Sequence, residues 1–267
     1  MRLICANVNG IRAAARRGGM QWLAEQQPDV LCLQEVRASD EQLRAVLDEG
    51  GFEGWHVAHT EAESKGRAGV AVVSRDPQLR VSTSVGPVEF DGAGRWVEAD
   101  LDTPAGVVTV ASTYVHTGEA GTDRQAEKYR FLDALTARFE GWSASGALAV
   151  VTGDLNIAHH EHDLKNWKGN LKKSGFLADE RAYLDRWFDG GAWVDVHRAH
   201  HGPGPGPYTW WSWRGQAFDN DAGWRIDYQL ASAQLARRAT TAWAGRAAAY
   251  DQRWSDHAAV VVDYDLG

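Results

Sequence analysis

Nine short apolar runs, near 2–8, 29–34, 69–74, 96–101, 106–114, 147–153, 192–197, 226–231 and 257–264, punctuate the chain and set the terms on which it can fold. Runs of this length rich in Val, Ile and Leu read as strands, some alternating and some continuously apolar as in a strand covered on both faces. Helical signals fall between only some of them. Ser39 with Gln42 and Thr122 with Gln125 match capping boxes and predict helices over about 39–49 and 122–139, and a third is expected over 178–188. Many strands, joined partly by short turns and partly by helices, suggest a mixed α/β protein with more than one sheet. No repeat or low-complexity tract is visible.

A chain of 267 residues that is 44% hydrophobic can bury a sizeable core. The segment "HGPGPGP" at 201–207 reads as a loop, so one domain over 1–267 is expected. The opening "RLICANV" has neither a signal-peptide cleavage site nor the length of a membrane span, which makes cytoplasmic the default expectation. Cys5 and Cys32 lie in apolar runs and read as buried, reduced thiols.

A net charge of −8 and a pI near 5.7 argue against a simple nucleic-acid backbone binder. The distribution says more than the sum. Lys165, Lys168, Lys172 and Lys173 cluster, Arg12, Arg16 and Arg17 follow the first strand, and Arg237 and Arg238 lie near the C-terminus. An acidic centre rimmed by bases suits a metal-dependent phosphodiesterase, although charge alone favours an ordinary solvated face.

The chemistry gathers at the strand ends. In "GDLN", Asp154 and Asn156 stand two residues apart and so face the same way where a buried strand meets solvent. Asn7 and Asn9 end the first run, Glu35 the second, and Tyr114 the run over 106–114, while Asp227 opens one late run and Asp256 with His257 another. If these ends converge they form an oxygen-rich pocket with one imidazole. Carboxylate and amide oxygens favour Mg²⁺ or Mn²⁺ over zinc, and His257 paired with a carboxylate such as Asp227 could donate to phosphate. "HHEHD" at 159–163 and "HRAHH" at 197–201 lack matching cysteines and read as surface or loop-stabilising histidines. Among 13 tryptophans, Trp210, Trp211, Trp213 and Trp224 crowd the stretch before Asp227.

"ANVNGIRAA", "PDVLCLQE", "GVAVVS", "STYV", "VVTGDLNIAH", "DLKNWKGNLKKSGF", "YTWWS", "GWRIDYQL" and "RWSDHAAV" occur in this order from residue 6 to 260. On these stretches the chain resembles the exonuclease III and apurinic/apyrimidinic (AP) endonuclease family of the endonuclease/exonuclease/phosphatase superfamily. The resemblance implies an α/β (α+β) four-layer sandwich, two packed mixed β-sheets flanked by helices. It implies that Glu35 is the principal metal ligand, with Asn7, Asp154, Asn156 and Asp256 around the metal. It further implies that Asp154 orients or deprotonates the attacking water or protonates the leaving oxygen. His257, oriented by Asp227, and Tyr114 would hold the scissile phosphate, and Asn156 would stabilise the transition state. Asn9, Lys165, Asn166, Asn170, Trp210 and Trp224 would meet substrate, whereas Trp211 and Trp213 are expected in the core. The implied enzyme is a Mg²⁺-dependent DNA-repair nuclease, with Mn²⁺ as a substitute, acting as a monomer on double-stranded DNA with abasic sites or blocked 3′ ends. A phosphatase of phosphoinositides or other small phosphate esters, and a DNA-binding scaffold without catalysis, are the alternatives. The chain departs from the family pattern in two places: Asn9 stands where some members carry an acid, and His116–Thr117 where others read Pro-Asn.

Overall fold

The apolar runs assemble into two six-stranded sheets in the computed structural model, which describes residues 1–267. In chain order the strands are β1 (Arg2–Asn7), β2 (Val30–Gln34), β3 (His56–Thr60), β4 (Val70–Ser74), β5 (Gln78–Ser82), β6 (Trp96–Thr103), β7 (Gly106–Tyr114), β8 (Leu148–Asp154), β9 (Trp193–Asp195), β10 (Asp227–Ser232), β11 (Ala239–Gly245) and β12 (Ala259–Tyr264). One sheet runs β11-β12-β1-β2-β4-β3 and the other β5-β6-β7-β8-β10-β9. Only β1–β2 and β7–β8 are parallel; every other pair is antiparallel. The orders 1-2-4-3 and 7-8-10-9 are the same path taken twice, a repetition of topology that leaves no repeat in the sequence.

Strand alternation explains the layers. Leu3 and Cys5 of β1 face the other sheet and meet Val97, Val108, Val110 and Val150 in a shared core, while Ile4 and Ala6 face the helices. Helices α1 (Ile11–Arg16), α2 (Gly19–Glu25) and α3 (Asp40–Leu47) cover the first sheet through Ile11, Leu23, Leu43 and Leu47. Helices α4 (Asp123–Ser145) and α5 (Ala178–Phe188) cover the second through Phe131, Leu135, Phe139, Leu184 and Trp187. Two short helices, α6 (Val196–His201) and α7 (Ala233–Ala236), complete the four-layer α+β sandwich. Each fully buried valine or leucine contributes about 1.5–3 kcal/mol, so the layer between the sheets and the two layers under the helices all stabilise the fold. No helix is long and apolar enough to cross a membrane.

Several local expectations need correction. Ser39 and Gln42 do form a capping box, with bonds of 3.3 and 3.2 Å. Thr122 does not: its hydroxyl donates to Glu119 O at 2.8 Å, because Gln125 is drawn inward to Glu180 at 2.9 Å. The run at 192–197 is a strand only over Trp193–Asp195, since the Asp195 side chain caps Arg198 N at 3.0 Å and starts α6. Strands β3, β5 and β11 and helices α1, α2, α6 and α7 carry too weak a pattern to be anticipated. In β5, for example, Leu79 and Val81 face solvent. Cys5 and Cys32 lie side by side in register, buried and unbonded to each other.

Candidate active site

The two parallel pairs end at the same edge of the sandwich. In each sheet the carboxyl ends of parallel strands are where ligand-binding loops emerge, and here Asn7 ends beside Gln34 and Tyr114 beside Asp154. Backbone geometry then aims the side chains. Asn9, Glu35 and Asn156 have left-handed φ values of 46°, 50° and 51°. For Glu35, a residue with no local preference for that region, this costs about 1–2 kcal/mol. Gly153 is required for β8 to lie so close to β7: a Cβ there would stand 1.9 Å from Thr113 O.

Polar groups from both sheets meet at this edge. The Asn7 amide donates to Glu35 Oε1 at 2.8 Å and to Asp154 Oδ2 at 3.0 Å, bridging a carboxylate of each sheet. Its own carbonyl accepts Asn9 N at 3.0 Å, and Ser255 Oγ donates to the Asn7 backbone at 2.7 Å. His257 Nδ1 donates to Asp227 Oδ2 at 2.9 Å, and His257 Nε2 lies 3.8 Å from Asp154 Oδ2. Asp256 accepts from Asn9 Nδ2 at 2.7 Å and from Trp210 Nε1 at 3.2 Å. Asp154 Oδ1 accepts Asn156 N at 2.8 Å.

Burial sets the protonation. It would lower the His257 imidazole, but Asp227, with Asp154 and Asp256 nearby, raises it to about 10, so the ring is an imidazolium at neutral pH. The buried Asp154 carboxyl is pushed up to about 8, opposed by His257 and reinforced by Asp227 and Glu35. Burial, Glu35 and Asp154 hold the Tyr114 hydroxyl protonated far above its usual range.

A cleft of about 360 Å³ opens over these groups. Of the residues predicted from sequence, Asn9, Glu35, Tyr114, Asp154, Asn156, Trp210, Trp224, Asp256 and His257 line it. Asn7 and Asp227 lie beneath it, 0% and 1% exposed. Lys165, Asn166 and Asn170 do not reach the cleft. They sit on an outer loop around the 3₁₀ turn Trp167–Gly169, where Asn170 bonds Asn166 O at 2.8 Å.

Arg37, Thr117, Ser174, Gly175 and Ile226 line the cleft without having been singled out for it. Arg37 pairs with Glu35 Oε2, and its place two residues after that acid in "QEVR" was the available signal. Trp210 and Trp224 stand edge to face, 6.5 Å apart, and with Ile226 make an apolar wall. Trp211 is in the core as expected, but Trp213 is only half-buried, between the guanidinium groups of Arg17 and Arg253. His116 turns away from the cleft and packs on Phe90 and Phe131, so Thr117 alone of that pair faces it. His197 is neither a surface nor a loop residue but fully buried on α6, and Arg237 and Arg238 lie at the opposite edge, where Arg238 O accepts Asp265 N.

The donor set fits a divalent cation. Glu35, Asp154 and His257 each offer an atom within 4.8 Å of the others. His257 turns Nδ1 to Asp227, and the Glu35 and Asp154 side chains beside it offer oxygens that suit a hard ion.

Residues 4–257 match the Endonuclease/Exonuclease/phosphatase family. The exodeoxyribonuclease of Bacillus subtilis is 34% identical over 88% of this chain and 89% of its own. An AP endonuclease of Archaeoglobus fulgidus superposes with a TM-score of 0.85 at 28% identity, covering 100% of both chains. A 3′-5′ exonuclease of Neisseria meningitidis does so with a TM-score of 0.86 at 27% identity, over 99% of this chain and 100% of that one.

Proposed function

The chain belongs to the endonuclease/exonuclease/phosphatase family, and from that premise we propose that it is a DNA-repair nuclease that hydrolyses phosphodiesters 5′ to abasic sites and trims 3′ ends of duplex DNA. The observation that carries this reading is the pairing of the Asp227–His257–Asp154 array beside Glu35 with an apolar wall of Trp210, Trp224 and Ile226 in one cleft. The first set handles a phosphate; the second accepts a sugar that lacks its base.

Each residue acts through its place. The His257 imidazolium, fixed by Asp227, and the protonated Tyr114 hydroxyl donate to the non-bridging oxygens of the scissile phosphate. Asp154, whose burial gives it unusual affinity for a proton, orients the attacking water or takes its proton, or protonates the leaving oxygen. Asn156 directs its amide to the phosphate as charge develops, and Asn9 holds Asp256 in place. A Mg²⁺ ion held by Glu35 with Asp154, Asn7, Asn156 and Asp256 would supply Lewis-acid stabilisation of the phosphate charge. Lys165, Asn166 and Asn170 meet the DNA backbone outside the cleft, where exposed cations and amides position a duplex without reading it. The acting form is a cytoplasmic monomer with one catalytic domain over 1–267, in keeping with a core to which both sheets contribute.

An end-labelled duplex with one central abasic site tests the reading. A single incision 5′ to the lesion with Mg²⁺, absent with EDTA, is the expected result. Shortening from 3′ ends alone would move the activity to exonuclease, and an intact duplex with phosphate released from an inositol phosphate would overturn it.

A further inference from the structure

Beneath the cleft lies a fully buried ion pair with no place in the chemistry above. Lys128 of α4 and Glu180 of α5 are both 0% exposed, with Nζ 2.6 Å from Oε1. The ammonium spends its other two donors on backbone carbonyls, Asn156 O at 2.9 Å and Thr117 O at 3.3 Å. Glu180 Oε1 also accepts Gln125 Nε2 at 2.9 Å and lies 2.9 Å from Ser174 Oγ, while Oε2 accepts Gly175 N at 2.7 Å and Leu177 N at 3.0 Å. The Ser174 hydroxyl is also 2.6 Å from Thr117 O.

The pair therefore joins the loop after β7, the loop after β8 and the segment that enters α5. Each contributes a residue to the cleft: Thr117, Asn156, and Ser174 with Gly175. Stability is a poor explanation for it. Taking two charges out of water costs several kcal/mol per ion, and a well-packed apolar pair of similar volume is often equally stable. The contacts are specific instead: they end on the carbonyl of a residue held in the left-handed region, Asn156 at φ 51°, whose side chain lines the cleft and donates its amide to Val115 O at 2.9 Å.

We propose that Lys128 and Glu180 are positioning residues that fix the three loops around the cleft and, through its carbonyl, the orientation of Asn156. This rests on the role given to Asn156 above.

The double substitution Lys128→Met with Glu180→Gln removes both charges together, avoiding an uncompensated buried ion, and keeps a carbonyl acceptor for Gly175 N and Leu177 N. Turnover is measured on the abasic duplex and, in parallel, on bis(p-nitrophenyl) phosphate, which is indifferent to DNA. The expected result is a folded protein whose kcat falls about 10- to 100-fold, the range for partners that orient catalytic groups, with KM within about threefold. In an Asn156→Ala background the same double substitution should cost nothing further, because both changes remove one effect. A kcat within twofold of the parent, or an equal loss with Asn156 already gone, overturns the proposal. If the double variant does not fold, Ser174→Ala, at a partly exposed position of the same network, is read by the same coupling to Asn156. Wild-type turnover of the ester without any on the duplex would defeat the repair reading alone, and the coupling is then decided on the ester.

Discussion

At the scale of single residues, the cleft separates groups that act on the phosphate from groups that choose the lesion. Asp154 and His257 meet at 3.8 Å and face the reacting atoms, whereas Trp224 belongs to the wall. Asp154→Asn or His257→Asn should therefore lower kcat about 10²- to 10⁴-fold, the usual worth of a positioned acid or base, with duplex affinity nearly unchanged. Trp224→Ala should leave incision chemistry in place and weaken the preference for abasic over intact duplex. Fluorescence anisotropy beside single-turnover rates separates the two. Equal losses of binding and rate in Asp154→Asn would sink the first assignment. The polar side chains at the strand ends that line the cleft were legible from strand-end chemistry and Trp210 and Trp224 from the family resemblance, but Arg37, Thr117, Ser174, Gly175 and Ile226 were not, nor was the reach of the outer loop. Lys165, Asn166 and Asn170 are close in sequence to Asn156, and nothing in that spacing tells that a 3₁₀ turn carries them outward.

At the scale of elements, the critical contact is between β7 and β8, the parallel pair whose ends supply Tyr114 and Asp154. Gly153 sits in that contact with no room for a methyl group, since its Cβ would lie 1.9 Å from Thr113 O. Gly153→Ala must push the strands apart or twist β8. Chemical denaturation should register a loss of about 3 kcal/mol or more, the upper range for overpacking. A loss below about 1 kcal/mol would mean that the strands accommodate the methyl group. Helix α4 makes a related point about legibility. Its start at Thr122 was legible, although the capping bond itself is absent because Gln125 serves a partner 55 residues away, whereas its end was placed at 139 and the helix continues to Ser145, closed by Gly146 in the left-handed region at φ 67°.

For the whole molecule, burial divides the histidines into two classes with opposite effects on stability. His116 is held down to about 3 by burial, with Arg95, Lys128 and Arg130 adding to it. Unfolded, it would take a proton near 6.5. Its contribution is thus present above 6.5 and lost as pH falls from there toward 3, because only the unfolded chain gains the proton. His257 runs the other way: raised to about 10, it stabilises fully below 6.5, and that share is lost as pH rises through 10. Comparing the parent with His116→Leu isolates the first class. Between pH 7 and pH 5 the variant should lose about 2 kcal/mol less, from 1.36 kcal/mol per unit below 6.5; parallel curves would show that His116 is protonated without cost in the fold.

By itself the sequence determined the strands that carry the site, their oxygen-bearing ends and the likeness to a nuclease family, because alternation, strand length and capping are properties of neighbouring residues. Only the tertiary structure decided that Asn7 bridges Glu35 and Asp154, that Arg37 answers Glu35, that His116 turns into the core, and that Lys128 meets Glu180 beneath Asn156. Most of these contacts join residues tens to more than a hundred positions apart, and Arg37 needs the left-handed turn at Glu35 to face back on its neighbour. Such contacts form because two sheets pack face to face, a relation that leaves no period or spacing in the chain.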